Sequence, residues 1–235
     1  AQRDGDHYVI NGRKMWTTTA QTANKILLIA RTKDLEDCVK PTEGLTLFYT
    51  DLDRERVEVR LIEKMGRKAV DSNALFIDNL IVSTEDRIGE EGDGWKCLLH
   101  GLNPERVLLA AEAVGLGQVA LERASNYAKE RIVFDRSIGK NQSIQHPLAV
   151  NWMELEAAEL MVYKAATLYD SGQPCGAEAN AAKYLAAEAA FKACQQAVRT
   201  HGGMGYAKEF HVERYLREIM IPVLAPVSQE LVKSF

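Results

Sequence analysis

The sequence predicts an α+β chain, a small antiparallel β sandwich or barrel followed by an antiparallel helical bundle. Three observations carry that expectation. From Tyr8 to about Val82, short runs alternate apolar with polar side chains and are separated by Gly, Pro, Asn and Asp. Beyond residue 95, long stretches place apolar side chains at helical spacing and are joined by short loops. Between them lies "IGEEGDGW", residues 88–95, a Gly-rich acidic hinge.

The elements follow in order. "HYVINGRKMWTTT", "KILLIART", "GLTLFYTDL", "VEVRLIEK" and "NALFIDNLIV" read as strands. The pair Asn11-Gly12 predicts a tight hairpin turn, because both residues tolerate positive φ. Trp16 and three threonines then stand at the end of that first hairpin. The indole either packs on the inner face of the sheet or forms a platform for a planar ring, with hydroxyls at the ring's edge. Asn103 and Pro104 predict a helix start, Asn103 as N-cap and Pro104 at the first helical position. Val107, Leu108, Ala111, Val114, Leu116, Val119 and Ala120 carry that helix to about Arg131. A second helix is expected from about Ser143 to Tyr169 and a third from Glu178 to about Thr200. Shorter ones follow from Phe210 and from Ser228.

Composition bounds the rest. With 235 residues, 46% of them hydrophobic, the chain can bury one large core or two smaller ones. A net charge of -4 and a pI near 5.8 supply no positive footprint, so neither nucleic acid nor an anionic membrane is expected as a partner. Cys38, Cys97, Cys175 and Cys194 are scattered, without the spacing of a zinc site or a disulfide framework, so no metal is expected. Neither a signal-peptide core nor a membrane span of roughly 18 apolar residues is visible. A cytoplasmic location is expected, or the mitochondrial matrix if a targeting segment has been removed; the chain reads as a piece of something longer.

Three stretches have two readings each. Glu105, as the second residue of its helix, would be favoured by the helix dipole by a few tenths to ~1 kcal/mol whatever the protein does. Alternatively it is the base of an enzyme, with Arg106 pairing it or another carboxylate. "HGGMGY", residues 201–206, is a helix C-cap or a weak phosphate cradle. "RIVFDRSIGKNQSIQHPLA", residues 131–149, is a solvated loop, or Arg131 serves a pyrophosphate.

Taken together and in order, "NGRKMWTTTAQTAN", "KMGRKAVDSNALFIDNLIV", "IGEEGDGW", "GLNPERVLLA", "RIVFDRSIGKNQSIQ" and "HGGMGY" resemble the acyl-CoA dehydrogenase family, flavoproteins that form an α,β double bond in an acyl-CoA thioester. The resemblance covers nearly the whole chain. It implies a middle β domain, residues 1–92, and a C-terminal four-helix bundle, residues 93–235, without the family's N-terminal helical domain. It further implies FAD, with Trp16 stacked beside the flavin and Thr18 near N5. Arg131, Phe134 and Gln142 would grip the FAD of a neighbouring subunit, Arg199, Gly202 and Gly203 would form the complementary stretch, and Ser228 would add a cofactor contact.

A homo-oligomer, dimer or tetramer, follows from such sharing. Many members carry the catalytic glutamate in a C-terminal Y-E-G-T-S-Q loop; the aligned "LAPVSQE" has Pro226 there and Val227 at the following glycine. The isovaleryl-CoA and long-chain branches place the base in L-x-x-E-R-x-x-x-A, which resembles "LNPERVLLA". The resemblance therefore implies that Glu105 takes the α-proton while the β-hydride goes to FAD N5, with Asn103 and Arg106 at the substrate. It also implies a role in fatty acid metabolism and electron transfer flavoprotein as electron acceptor. Two other readings are a non-catalytic acyl-CoA-binding or oligomer-partner subunit, and a flavin oxidase or monooxygenase of the same superfamily.

Overall fold

The computed structural model describes residues 1–234. The chain divides into two compact units, Ala1–Gly101 and Leu102–Phe235.

The first unit holds seven strands: β1 (Gln2–Asp4), β2 (His7–Thr18), β3 (Lys25–Arg31), β4 (Leu45–Asp51), β5 (Val57–Leu61), β6 (Ser72–Ser83) and β7 (Arg87–Ile88). They form two antiparallel sheets, ordered β1-β2-β6-β5 and β3-β4-β7. Alternation explains much of the layering, since successive side chains of a strand point to opposite faces and the inner faces of the two sheets meet. Tyr8, Ile10, Leu75, Ile77, Leu80 and Val82 from the first sheet meet Ile26, Leu28 and Phe48 from the second in one core. Tyr8 packs edge-on against Phe48 at 4.9 Å. Its hydroxyl donates to Glu91 Oε2 at 2.5 Å, so the phenol is satisfied at the core's rim.

The Asn11-Gly12 pair makes no hairpin. It lies within the twelve-residue strand β2, beside a register break: Ile10 faces Leu80 but Gly12 faces Ile77, which leaves an extra residue on β6. Asn79 absorbs it at φ 51°, and the Asn11 side chain fastens it by accepting from the Asn79 N–H at 2.7 Å. Bulges and tight turns both call on residues that tolerate unusual backbone, which is why the same dipeptide signalled the wrong one.

The helical part comprises α1 (Gly94–Glu130), α2 (Gln142–Asp170), α3 (Gly176–His201), α4 (Gly203–Tyr206), α5 (Val212–Glu218), α6 (Met220–Leu224) and α7 (Gln229–Val232). A two-stranded hairpin, β8 (Ile132–Val133) with β9 (Arg136–Ser137), joins α1 to α2. The pairs Lys164–Glu178 and Lys192–Glu154 run in opposite senses along α2 and α3, so these helices are antiparallel. The fourth position of the bundle is filled by α5 and α6, whose neighbourhood sends Val212, Tyr215 and Ile219 into the core.

Close approach comes from small residues. The buried face of α3 is Ala179, Ala182, Ala186, Ala189, Ala190, Ala193 and Ala197. Opposite it, a Cβ on Gly117 would lie 2.9 Å from the Ala190 Cα and 2.6 Å from Leu155 Cδ2, so the helices can touch only at glycine.

Helix α1 begins at Gly94, not at Pro104, and Pro104 sits inside it. Asn103 is therefore no N-cap. Gly94 starts the helix because it alone fits against β4, where a Cβ would come within 2.5 Å of the Leu47 nitrogen. Proline removes the N–H that would reach the His100 carbonyl, but His100 and Gly101 are exposed, so water can serve that carbonyl. Glu105 consequently stands about three turns into the helix, beyond the reach of the dipole at its N-terminus. Among the described residues no helix is long and apolar enough to cross a membrane.

Candidate active site

In the β unit, Trp16 is the residue that a second register break leaves over. Lys14 faces Leu75 and Thr17 faces Asn73, so β2 carries one residue more than β6, and Trp16 takes it up at φ 63°. That conformation costs a bulky side chain energy, and bulges re-aim the side chains they hold. The indole stays 62% exposed, which settles its direction: it does not pack on the inner face. Thr18 is exposed two residues on, and its hydroxyl bonds to no other described residue. An uncommitted indole with a free hydroxyl beside it suits a flat heteroaromatic ring with hydrogen-bonding edges.

In the helical unit, Glu105 is exposed, and its carboxylate bonds to no other described residue. Arg106 does not pair with it. The Arg106 side chain turns inward, 9% exposed, and donates from Nη1 to Asn103 Oδ1 at 2.9 Å. Its buried Nε has no hydrogen-bond partner among the described residues. Nor do apolar neighbours enclose Glu105. Val107 belongs to the bundle core, whereas Leu108, one turn along the same face, is 70% exposed.

Phe134 and Asp135 form the two-residue turn between β8 and β9, at φ 51° and 62°. Positive φ at both positions is the geometry of a type I′ turn, which aspartate tolerates better than most residues. Phe134 is left 94% exposed, with Arg131 and Gln142 exposed near it in sequence.

At the far end of α3, Arg199, Gly202 and Gly203 are exposed, and a Cβ on either glycine would meet nothing within 4 Å. Gly202 ends the helix at φ 60°, ψ -134°, a region closed to other residues. The turn thus keeps its backbone open on one side. Beside it, His201 stacks on Tyr127 at 4.2 Å, and both line an open groove of about 410 Å³ with Phe210 and Arg123. Burial pushes the His201 pKa down, and its Nδ1 lies 2.8 Å from the Ala197 carbonyl, a distance that requires the proton on Nδ1.

A polar cluster that no motif announced holds the C-terminal segment. Lys183, on the alanine face of α3, is 1% exposed. Its ammonium donates to the Val227 carbonyl at 2.5 Å and to Gln229 Oε1 at 3.3 Å. Gln229 Nε2 in turn donates to the Tyr184 carbonyl and Glu188 Oε1. The Ser228 hydroxyl accepts from the Leu231 N–H and so caps α7. The available signal was a lysine interrupting the run "ANAAKYLAAEAA" on its apolar face.

Burial pushes the Lys183 pKa down to about 8, with Arg106 adding to the fall and Glu230 and Glu188 opposing it. Between about 8 and the ordinary 10.5 the unfolded chain binds the proton more tightly than the folded one. Stability from this group therefore rises with pH across that window. Thermal unfolding of the full-length protein should show the gap between wild type and Lys183→Met moving in favour of wild type from about pH 7 to about pH 10. A constant gap would contradict the assignment.

Comparison with known proteins identifies the family. Residues 92–224 match the family model of the acyl-CoA dehydrogenase C-terminal domain, and residues 1–80 that of the middle domain. The chain belongs to the acyl-CoA dehydrogenase family. It is 37% identical over 244 residues to an acyl-CoA dehydrogenase of Mycobacterium tuberculosis, covering 100% of this chain and 60% of that protein. It is 36% identical over 218 residues to the CarC subunit of the caffeyl-CoA reductase-Etf complex of Acetobacterium woodii, covering 92% of this chain and 56% of that one. A solved FAD complex of PigA superposes with a TM-score of 0.93 at 26% identity, over 100% of this chain and 60% of that chain. The chain thus spans little more than half the length of the proteins it matches.

Proposed function

We propose that this chain forms the middle and C-terminal parts of an FAD-dependent acyl-CoA dehydrogenase in which Glu105 removes the α-proton of the thioester. The observation that carries this reading is the uncommitted Glu105 carboxylate. At mid-helix it gains nothing from the dipole, it holds no ion pair among the described residues, and its exposed neighbour along the helix face is Leu108. A bound acyl chain lying over Leu108 would strip water from the acid and make it a stronger base. Arg106 would act through Asn103, whose side chain it holds for contact with the substrate.

FAD, when bound, supplies the acceptor for the β-hydride at N5. Support for the cofactor comes from the solved relative in complex with FAD and from the exposed, bulge-mounted Trp16. Trp16 would cover the ring and Thr18 would donate at its edge. Arg131, Phe134 and Gln142 would hold the dinucleotide of a neighbouring subunit, and Arg199 with the open backbone of Gly202 and Gly203 the complementary side, with Ser228 as a further contact. A 94% exposed Phe134, and the exposed Trp152, Leu160 and Tyr163 along one face of α2, support an oligomer, because a lone subunit rarely leaves such side chains in water. Electron transfer flavoprotein is the proposed acceptor, a reading supported by the Etf-complex relative.

The test is anaerobic titration of the full-length flavoprotein with saturated acyl-CoAs. The yellow flavin band is expected to bleach with at least one of them. No bleaching across the panel would favour a non-catalytic subunit, and oxygen consumption without an added acceptor would favour an oxidase.

A further inference from the structure

We infer that Gly101 is a specificity-determining residue that opens the site to acyl thioesters carrying a methyl branch on the α carbon; this rests on the proposed dehydrogenase reading and names its substrate class.

Glycine and proline are the two residues least suited to a helix interior, and α1 carries both in the turn before Glu105, as Gly101 and Pro104. At Gly94 and Gly117 the reason for glycine is internal, since a Cβ would strike the backbone of β4 or of α3. At Gly101 it is not. A Cβ there would meet nothing within 4 Å, and the residue does not have the positive φ that calls for glycine. Local rules of this kind are broken most often where function requires it.

Position on the helix says which function. Residues four apart share a face, with Cβ positions about 5–6 Å from one another. Gly101 therefore borders Glu105 on one side, and Leu108, three residues on, borders it on the other. Leu108 is 70% exposed, whereas Gly101 presents bare backbone. The base thus stands between apolar bulk and a gap the size of a methyl group.

The chemistry of the substrate assigns that gap. The carbon that loses its proton lies opposite the Glu105 carboxylate. With the acyl chain over Leu108, the groups left for the Gly101 side are the thioester carbon and whatever else the α carbon bears. The thioester carbon is common to every substrate; a branch is not, and a methyl branch matches the missing Cβ. One methyl on the α carbon still leaves a hydrogen there for Glu105 to remove.

Two conjugated thioesters of equal chain length test the fit without turnover: but-2-enoyl-CoA, and 2-methylbut-2-enoyl-CoA, which adds only the α-methyl. Binding to the full-length flavoprotein is read from the perturbation of the flavin band. Wild type should bind the two within about threefold of one another. Gly101→Ala, whose new methyl fills the gap, should weaken the branched ligand by about 10–100-fold and the unbranched one by less than about threefold. Its melting temperature should hold or rise, because alanine is the better helix former and its Cβ meets nothing, so a folding defect cannot imitate the effect. Gly115→Ala is equally open but lies about 15 Å along α1 from Glu105, and should bind both ligands as wild type does. Flavin reduction by 2-methylbutanoyl-CoA and butanoyl-CoA should show the same selectivity, in KM.

The inference is overturned if Gly101→Ala weakens both ligands alike, which would give the gap to the thioester head, or weakens neither. It also fails if Gly115→Ala matches Gly101→Ala, or if wild type binds the branched ligand more than about tenfold more weakly than the unbranched one, or not at all. Reduction judges the underlying reading separately. A wild type that binds and discriminates as expected, yet is reduced by no acyl-CoA, would sink the dehydrogenase and keep the branch. Reduction by butanoyl-CoA without the Gly101 effect would do the reverse.

Discussion

Glu105→Gln should lower the rate of flavin reduction by saturating acyl-CoA by about 10³-fold, because an amide keeps the shape of the side chain but cannot accept the α-proton. Stability should barely move: the carboxylate is exposed, far from the helix end, and bonds to no other described residue. That combination distinguishes a base from a structural acid. Rapid-mixing measurement of the flavin band, beside a melting curve for each protein, provides both numbers. Unchanged reduction would remove Glu105 from the chemistry, and a large loss of melting temperature would recast it as part of the fold.

Gly205→Ala should behave in the opposite way. A Cβ there would stand 2.2 Å from the Val198 carbonyl oxygen and 2.9 Å from the Val198 Cα, both backbone atoms that cannot swing aside. Overpacking of this kind costs about 3 kcal/mol, which for a chain of this size lowers the melting temperature by roughly 6–12 °C. Gly203→Ala is the control, since its Cβ would meet open space. Its melting curve without flavin should match wild type, while its affinity for FAD should fall if the backbone of this turn approaches a phosphate. Equal destabilisation by the two changes would contradict the division of labour among the glycines of "GGMG".

How much of this was legible in the sequence depends on whether the signal was local. The five main strands follow from alternation, and α2 and α3 follow from helical spacing, because those periods report directly on which side chains reach a core. Asn11-Gly12 and Pro104 are ambiguous for one reason: each is a statement about backbone tolerance, and tolerance does not say which of two permitted uses the surroundings impose. A bulge opposite Asn79 and a helix already started at Gly94 are tertiary facts.

Trp16 could be posed as a choice between core and platform; only the extra residue in the β2–β6 register explains its outward direction. The significance of Glu105 came from resemblance, since its local setting suggested a helix end that lies elsewhere. Lys183 escaped because its partners are 44 and 46 residues away, at no spacing a motif could encode.

The alanine face of α3 has a thermodynamic consequence. Alanine surrenders no rotamer freedom when buried, so ordering this segment costs little beyond the backbone, and its intrinsic preference for the helical state is the strongest of any residue. The stretch from residue 176 to 201 should therefore hold residual turns in the denatured ensemble. Where bulkier helices must find their partners before they gain anything, this one can arrive largely formed and serve as the template on which the others condense.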